Sequence, residues 1–502
     1  MKILFIASEG LPYSKTGGLA DVIQALPKAL VASGHEVAVV LPHYRGTRTA
    51  ATAASSLTIP IGNGLRFPSI ADGSVVDGVR YFFIEDPQYF DRAQLYGENG
   101  RDYPDNAERF GLFSRASIEL AKQIWRPDVI HCHDWQASLV PVLLRTQYSG
   151  DPAFLGVPVV LTVHNLGYQG IFGRDALARL GLPETLFHVD ALEFYGKVNL
   201  LKGGLLFSDY LTTVSRKYAQ EIQTVEYGHG LDGVIRLRAA DLAGILNGVD
   251  YSMWSPENDA LIARKYSAND LAGKAACKSD LLDQLKLPAA NLKRPVVGIL
   301  SRFADQKGFD LIAQMAVDLL KEDVCLAVLG TGEPKYESMF QALAEREPDR
   351  VGVRLGFDNV LAHKIEAGSD MFLMPSRYEP CGLNQIYSLR YGTVPVVRAT
   401  GGLDDTIEAF DARTGAGTGF KFQEYDAKEL VATLRQAIKV YRDAPLWRKL
   451  MANGMAKDFS WAASAAEYTR LYKRAWESRA KVLAESQMQG SVPANRKIAP
   501  NI

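Results

Sequence analysis

The stretch from Met371 to Leu403, MFLMPSRYEPCGLNQIYSLRYGTVPVVRATGGL, sets a carboxylate at Glu379, a cation at Arg377 and a glycine at Gly382 between a short apolar run and an amphipathic one. A carboxylate just before a helix holds hydroxyl groups, and a glycine lets backbone approach a ligand with no side chain in the way. The first amides of a helix lack intrahelical partners and favour an anion. A ligand that joins phosphate to a polyol suits that combination. The plainer alternative has Glu379 capping the helix and Arg377 pairing with it at the surface. Two more cations, Arg302 and Lys307, stand in SRFADQKG, and Lys15 opens KTGG near the start of the chain. Each alone is more often a solvated surface charge. Converging on one helix N-terminus, Arg302 and Lys307 would stabilise a departing diphosphate.

Convergence depends on the elements. Met371 to Met374 has the pattern of a buried strand closed by Pro375. From Cys381 or Gly382 the residues Leu383, Ile386, Tyr387 and Leu389 follow helical spacing, Gly392 stops the helix, and Val394 to Val397 is the next strand. That order is a parallel crossover unit, in which ligands bind where strands end and helices begin. Strands at Pro295 to Leu300, Val324 to Leu329 and Val353 to Leu355 extend the series, which places Arg302, Lys307 and Glu379 at one edge of a doubly wound sheet.

The first half repeats the pattern. Lys2 to Ala7, a helix from about Leu19 to Ala32 ended by Gly34, and Glu36 to Leu41 form a βαβ unit with Lys15, Thr16, Gly17 and Gly18 at the helix N-terminus. Pro127 to His131 leads into His133, Asp134 and Trp135 and a helix from Ala137 to Arg145. The β-branched run Val157 to Val163 leads into His164, Asn165, Leu166 and Gly167. Asp134 and His164 thus stand at strand tips, where a histidine serves the fold as readily as a ligand. Tyr96 to Arg109 is polar and aromatic, too rich in turn formers for a core, and is a candidate binding loop. Residues 47 to 77 carry weak periodicity and are expected to form irregular strands. Lys197 to Phe207 has a helical pattern, and Ser215 caps a helix after the strand Asp209 to Val214.

Composition narrows the class. At 502 residues the chain calls for two domains. With 56 basic against 57 acidic residues it carries no overall charge that would favour nucleic acid or an anionic membrane. The four cysteines, Cys132, Cys277, Cys325 and Cys381, show no paired spacing, and the amino terminus lacks a signal-peptide pattern, so a reduced, cytoplasmic setting is expected. No apolar run reaches bilayer length. The cluster His131-Cys132-His133-Asp134 lacks the distant second pair of a zinc site, so no metal is expected. Neither the Walker loop nor GxGxxG is present, which argues against a nicotinamide dehydrogenase.

Taken together, KTGGLAD, SRFADQKG and SRYEPCGLNQ resemble the bacterial glycogen synthases and plant starch synthases of glycosyltransferase family 5, over nearly the whole chain from Met1 to about Tyr472. The resemblance implies an α/β GT-B fold, with two Rossmann-like doubly wound domains facing across a deep cleft. Residues 1–245 would be the acceptor-side domain, 246–260 the linker and 261–456 the nucleotide-sugar domain. Residues 457–482 would be helices crossing back to the first domain, and 483–502 a disordered tail. It further implies retaining transfer of glucose from ADP-glucose, a substrate rather than a cofactor, to the non-reducing end of an α-1,4-glucan such as glycogen, with no metal.

Carried over, Arg302 and Lys307 would hold the diphosphate and Glu379 the sugar hydroxyls, with His164 and Asp134 near the transferred glucose. Lys15, Gly17, Gly18, Asp21, Tyr96, Asn165, Asn247, Cys381, Gly382, Leu383, Thr400, Gly401 and Gly402 would line the substrates. Asn384 stands where some members have threonine. A UDP-glucose enzyme with another acceptor and a catalytically dead glucan-binding protein of the same fold are the competing readings. Exposed aromatics of the first domain are where a long glucan would be expected to stack.

Overall fold

In the computed structural model, which describes residues 1–48, 51–54, 56–98 and 100–488, the chain divides into two compact units. One comprises residues 1–214, 219–248 and the chain from 461 onward; the other comprises 215–218 and 249–460.

Among the described residues, the first unit is built on a nine-stranded sheet. Its strands are β1 (Lys2–Ile6), β2 (Glu36–Pro42), β3 (Ala51–Ala54), β4 (Ser69–Val76), β5 (Val79–Glu85), β6 (Val129–His133), β7 (Val159–Val163), β8 (Tyr210–Thr213) and β9 (Leu242–Gly244). They lie in the order β9-β8-β7-β6-β1-β2-β5-β4-β3, parallel from β9 to β5 and antiparallel from β5 through β4 to β3. β6 and β7 are buried along their whole length, the consequence of covering both faces of a parallel sheet, and this is why Val159 to Val163 is an unbroken apolar and β-branched run rather than an alternating one.

Helix α1 (Gly18–Ala32) buries Leu19, Val22, Ile23, Leu26 and Leu30 against that sheet. Tyr468, Leu471, Tyr472 and Ala475 repeat the same spacing on the carboxyl-terminal helix and join the same core. Tyr472 goes further: its hydroxyl lies 2.8 Å from Nδ1 of His131 at the sheet centre.

The second unit has a six-stranded, wholly parallel sheet among the described residues. β10 (Val296–Leu300), β11 (Cys325–Gly330), β12 (Val351–Leu355), β13 (Met371–Met374), β14 (Val394–Arg398) and β15 (Phe420–Phe422) lie in the order β12-β11-β10-β13-β14-β15. Both units are thus α/β and doubly wound. In the first, the chain leaves β1 to one side for β2 and returns on the other side for β6; in the second it does the same around β10 and β13.

Several local expectations are corrected. The segment from Lys197 opens as a short strand, Lys197–Asn199, before the helix Leu200–Phe207, whose cap is Asn199 accepting from the Lys202 amide at 3.0 Å. The polar loop closes before Arg109. Asn106–Gln123 is a helix, α2, and Arg109 is buried in it, with its guanidinium donating to the Tyr89 and Leu95 carbonyls at 2.7 and 3.0 Å. Full backbone satisfaction is what lets so polar a side chain sit inside. The helix expected from Ala137 is two pieces, Asp134–Ala137 and Leu139–Arg145; Pro141 has no N–H to offer the Ala137 carbonyl, so the ladder breaks there.

Residues 249 to 260 are built into the second unit rather than left as a slack connector. Trp254 stacks on His363 at 3.7 Å and on Tyr387 at 4.2 Å, and Asp259 accepts from His363 at 2.7 Å. The carboxyl-terminal helix, Trp461–Met488, carries residues 483–488, expected in the disordered tail, as helix; 489–502 lie outside the described residues.

Because the Tyr472 hydroxyl is a partner of a buried ring nitrogen, Tyr472→Phe should destabilise the first unit by about 1–2 kcal/mol, the usual cost of orphaning a buried polar group. Urea unfolding followed by tyrosine and tryptophan fluorescence would show it, and an unchanged midpoint would mean that the helix is held by its apolar face alone.

Candidate active site

In the second unit the strand order reverses between β10 and β13, and a sheet of this kind opens a crevice at the carboxyl ends of the two strands that flank the reversal. The loops leaving those strands are residues 301–308 and 375–383. Gly308 lets them meet. With φ at +78° its absent Cβ would lie 2.1 Å from the Pro375 carbonyl oxygen, so any side chain would push the loops apart. The Arg377 amide donates to the Gln306 carbonyl at 2.9 Å, and Lys307 Nζ lies 2.6 Å from Oε2 of Glu379.

Glu379 is buried, and Ser376 Oγ donates to the same carboxylate oxygen at 3.1 Å. Behind it, helix α3 (Asn384–Arg390) starts from Leu383 and helix α4 (Gly401–Thr406) from Thr400. Cβ atoms on Gly401 and Gly402 would fall 1.9 Å from the Glu379 and Cys381 carbonyl oxygens respectively, and the Gly402 amide donates to the Glu379 carbonyl at 3.0 Å. The two glycines therefore let α4 press against the loop and fix its backbone. Gly382 turns the chain with φ at +70°, Cys381 is buried beside it, and Asn384 Nδ2 ties the helix start to the Leu300 carbonyl at 2.9 Å.

The helix starts at Asn384, not at Cys381 or Gly382, so Glu379 is too far upstream to cap it. Nor is Arg377 its partner. Arg377 donates to Asp310 at 2.9 Å and lies over the Tyr425 ring at 4.3 Å. Arg302 is exposed, and among the described residues no hydrogen bond or ion pair engages its guanidinium.

The first unit reverses between β1 and β6. After β1, the buried Glu9 accepts at Oε2 from the Thr16 amide at 2.6 Å and the Thr16 hydroxyl at 2.7 Å, which shapes the KTGG loop. Burial raises the pKa of Glu9 while those bonds oppose the rise. Lys15 Nζ pairs with Asp21 Oδ1 at 2.7 Å, both partly exposed. α1 starts from Gly17 with no side-chain cap, Gly17 and Gly18 are exposed, and a Cβ on Gly18 would meet open space. The Tyr96 hydroxyl is 2.7 Å from Ser8 Oγ, and burial holds its pKa well above the ordinary value.

After β6, Asp134 adopts φ +55°. Its Oδ1 accepts from the His164 amide at 2.7 Å, and the Asn165 amide also donates to the carboxylate. Burial outweighs those bonds and, with the charge of Glu9 adding to it, pushes the Asp134 carboxyl up to about 7. His164 Nε2 is 3.0 Å from His133 Nδ1, and burial lowers the His164 pKa to about 3, so the ring is neutral.

Asn165 Oδ1 accepts from the Gly167 amide at 3.0 Å, which leaves its NH2 outward of the turn. Asn247, beyond the end of β9, is buried with no partner for Oδ1 among the described residues. The HCHD cluster is accounted for by other bonds: His131 Nε2 lies 2.6 Å from Thr162 Oγ1, opposite its Tyr472 contact. Among the described residues no group of three His, Cys, Asp or Glu is placed to hold a metal ion.

Residues 2–237 match the family described as starch synthase catalytic domain, and residues 284–453 match glycosyl transferases group 1. The chain is 58% identical to the glycogen synthase of Koribacter versatilis (strain Ellin345) over 96% of its own length and 99% of that protein, and 49% identical to that of Anaeromyxobacter sp. (strain Fw109-5) over 94% and 99%. This chain belongs to the glycogen synthase family. Among solved structures it superposes on the catalytic domain of starch synthase IV from Arabidopsis thaliana, bound to ADP and acarbose, with a TM-score of 0.86 and 35% identity over 95% of this chain and 99% of that one. Sucrose-phosphate synthase from Thermosynechococcus elongatus, at TM-score 0.59 and 18% identity over 95% and 99%, shares the fold.

Membership settles the coarse chemistry. As a glycogen synthase the protein is a GT-B enzyme of glucosyl transfer in glycogen synthesis, with a nucleotide-sugar donor and a glucan acceptor. No helix of the described residues is long and apolar enough to cross a membrane.

Within this chain, Lys307 and Glu379 come together at the second unit's reversal, while Asp134, His164 and Asn165 are joined by hydrogen bonds at the carboxyl edge of the first unit's sheet. Sequence reasoning passed over Glu9, Ser376, Gly308 and His133. Glu9 had a visible signal, since it follows the first strand by three residues at the edge where open sheets place their sites. Gly308 and His133 act through partners distant in sequence, Pro375 and His164, and Ser376 meets Glu379, three residues on, only because the loop folds back on itself.

The raised Asp134 pKa has a consequence for stability. The unfolded carboxyl titrates near 4 and the folded one at about 7, so its contribution is fully present below pH 4 and is lost as pH rises through 7. Asp134→Asn removes the titration but keeps an acceptor oxygen. The variant's stability relative to the parent should climb between about pH 4 and pH 7, by on the order of a few kcal/mol, and then level off. Urea unfolding at pH 5, 6, 7 and 8 measures the difference, and parallel curves would show that the carboxyl titrates normally.

Proposed function

We propose that the protein is a retaining glucosyltransferase that carries glucose from ADP-glucose to the non-reducing end of an α-1,4-glucan without a metal ion. The observation that carries this reading is the Lys307–Glu379 pair at 2.6 Å across the sheet reversal, with the guanidinium of Arg302, in the loop that leads to Lys307, unengaged among the described residues.

A glycosidase must protonate a poor leaving group, whereas a nucleoside diphosphate departs as an anion that cations stabilise. Lys307 uses one of its three N–H donors on Glu379 and keeps two for phosphate oxygens. Arg302 offers the planar fork that matches a phosphate. Glu379, ionised against Lys307, accepts hydrogen bonds from glucose hydroxyls, and the Gly401 and Gly402 turn keeps its backbone in place. In the first unit His164, neutral at any working pH, and Asp134 serve the transferred glucose. Lys15, Gly17, Gly18 and Asp21 serve the donor at the α1 N-terminus, joined by Tyr96, Asn165 and Asn247.

In the retaining step the bond from C1 to the β-phosphate oxygen breaks, and its electron pair stays on that oxygen. The acceptor's 4-hydroxyl oxygen bonds to C1 on the same face and passes its proton to a departing phosphate oxygen, so no enzymic nucleophile is needed. The adenine nucleotide is supported by the solved starch synthase IV, described as bound to ADP and acarbose. Cytoplasmic location is supported by the four buried free thiols.

Glucose incorporation into glycogen from radiolabelled ADP-glucose and, in parallel, UDP-glucose tests the reading. Incorporation from ADP-glucose, lost in Glu379→Gln, is expected. Arg302→Ala and Lys307→Ala should each lower kcat on the order of 100- to 1000-fold, with little change in unfolding midpoint for Arg302→Ala and a lower midpoint for Lys307→Ala, which leaves Glu379 buried without its counter-charge. Preference for UDP-glucose would overturn the donor. Near-normal turnover in the Arg302 and Lys307 variants would overturn the diphosphate assignment, and tight glucan binding with no transfer from either donor would make this a binding protein.

A further inference from the structure

His133 closes β6 with its ring stacked on Phe5, centroids 5.2 Å apart at 16°, and against His131 at 4.1 Å. Its Nδ1 faces Nε2 of His164 at 3.0 Å. Its Nε2 is sealed from solvent, and no group of the described residues is within hydrogen-bonding reach. Burial keeps both rings neutral, and a neutral imidazole carries one N–H.

That leaves two places for the His133 proton. On Nε2 it would be a buried donor with no acceptor in the chain. On Nδ1 it is used in the bond to His164 and leaves only a lone pair at Nε2; under-satisfied acceptors are tolerated in protein interiors better than orphaned donors. His133 is therefore the donor of the pair and His164 Nε2 the acceptor. The single proton of His164 then sits on Nδ1, the other side of a half-buried ring, where no residue of the described chain accepts it. The Asp134 carboxylate meanwhile holds the His164 amide at 2.7 Å, so backbone and ring are fixed by separate bonds.

We propose that His133 is a positioning residue that locks His164 in its Nδ1–H tautomer, so that His164 presents a hydrogen-bond donor, and not an acceptor, to an oxygen of the transferred sugar or its phosphate. This deepens the assignment of His164 to the donor sugar and rests on it. The lock supplies what a transition-state contact needs, a donor already turned toward the ligand before it arrives.

The test joins a spectrum to kinetics. Imidazole 15N–1H correlation spectra of the ligand-free full chain, with His164 assigned by its loss in His164→Gln, read the tautomer directly. An Nδ1–H pattern is expected, and an Nε2–H pattern would overturn the proposal whatever the enzyme acts on. His133→Leu should turn the His164 signals into a mixture of tautomers and lower kcat roughly 10- to 100-fold with KM for the nucleotide sugar within about threefold.

His133→Asn, whose amide nitrogen stands where Nδ1 stood and can donate, should restore the Nδ1–H pattern and bring kcat back to within about fivefold. Full activity in His133→Leu with scrambled tautomers would overturn the positioning role. If the parent protein transferred glucose from neither donor, the functional reading would fail while the spectrum still decided the tautomer.

Discussion

The ion pair between Lys307 and Glu379 sets the terms for everything around it in the second unit. A buried carboxylate is costly unless a counter-charge and further donors satisfy it. Here Lys307 and the Ser376 hydroxyl share one oxygen of Glu379. To bring Lys307 within 2.6 Å, two loops from strands that are neighbours in the sheet but far apart in sequence must touch, and they touch at a residue that tolerates no Cβ. The glycines at 308, 401 and 402 are backbone solutions to one electrostatic requirement. Removing Lys307 therefore leaves Glu379 buried with half its support.

The first unit handles its polar groups differently. Its reversal is lined by groups whose charge burial suppresses: Asp134 raised to about 7, His164 lowered to about 3, and Tyr96 held protonated. Neutral hydrogen-bonding groups of fixed orientation are suited to hydroxyls, whereas fixed charges are suited to phosphate. The contrast between the units arises from partners rather than composition, since Asp134 and Glu379 are both carboxylates and differ in whether a cation reaches them.

Most of the architecture was legible in the sequence because parallel strands buried on both faces leave unbroken apolar runs, and the loops between them are punctuated by glycine and proline. The placement of Arg302, Lys307 and Glu379 was legible for the same reason: each follows a strand that could be seen. What escaped was set by contacts across the fold. Arg109 lies in a stretch whose composition says loop, and it becomes a core residue only because the Tyr89 and Leu95 carbonyls join Asn106 of its own helix in accepting from it. The pairing of Arg377 with Asp310 rather than Glu379 depends on the direction of helix Phe309–Lys321, which spacing within the loop does not carry. His133 was visible only as part of an apparent metal cluster, because a run of metal-ligand residue types hides that β pleating sends each second residue to the same face.

That alternation also explains why the HCHD segment is built as it is. His131 and His133 point to one face of β6 with their rings in tilted contact, while Cys132 goes to the other. His131 is satisfied at both nitrogens, by Thr162 and by Tyr472 of the carboxyl-terminal helix, and so forms a rigid floor; His133 stands on that floor and reaches His164 on the next strand. The last helix of the chain thus supports the strand-tip residues from below through a hydroxyl and two rings in tilted contact, with no charge in the path. A charged member anywhere in that stack would have to be desolvated without a counter-ion, and the raised and lowered pKa values of its neighbours show how strongly this interior refuses one. Neutrality here is a structural condition as much as a chemical one, and it ties the tautomer of a strand-tip histidine to the packing of a helix far along the chain.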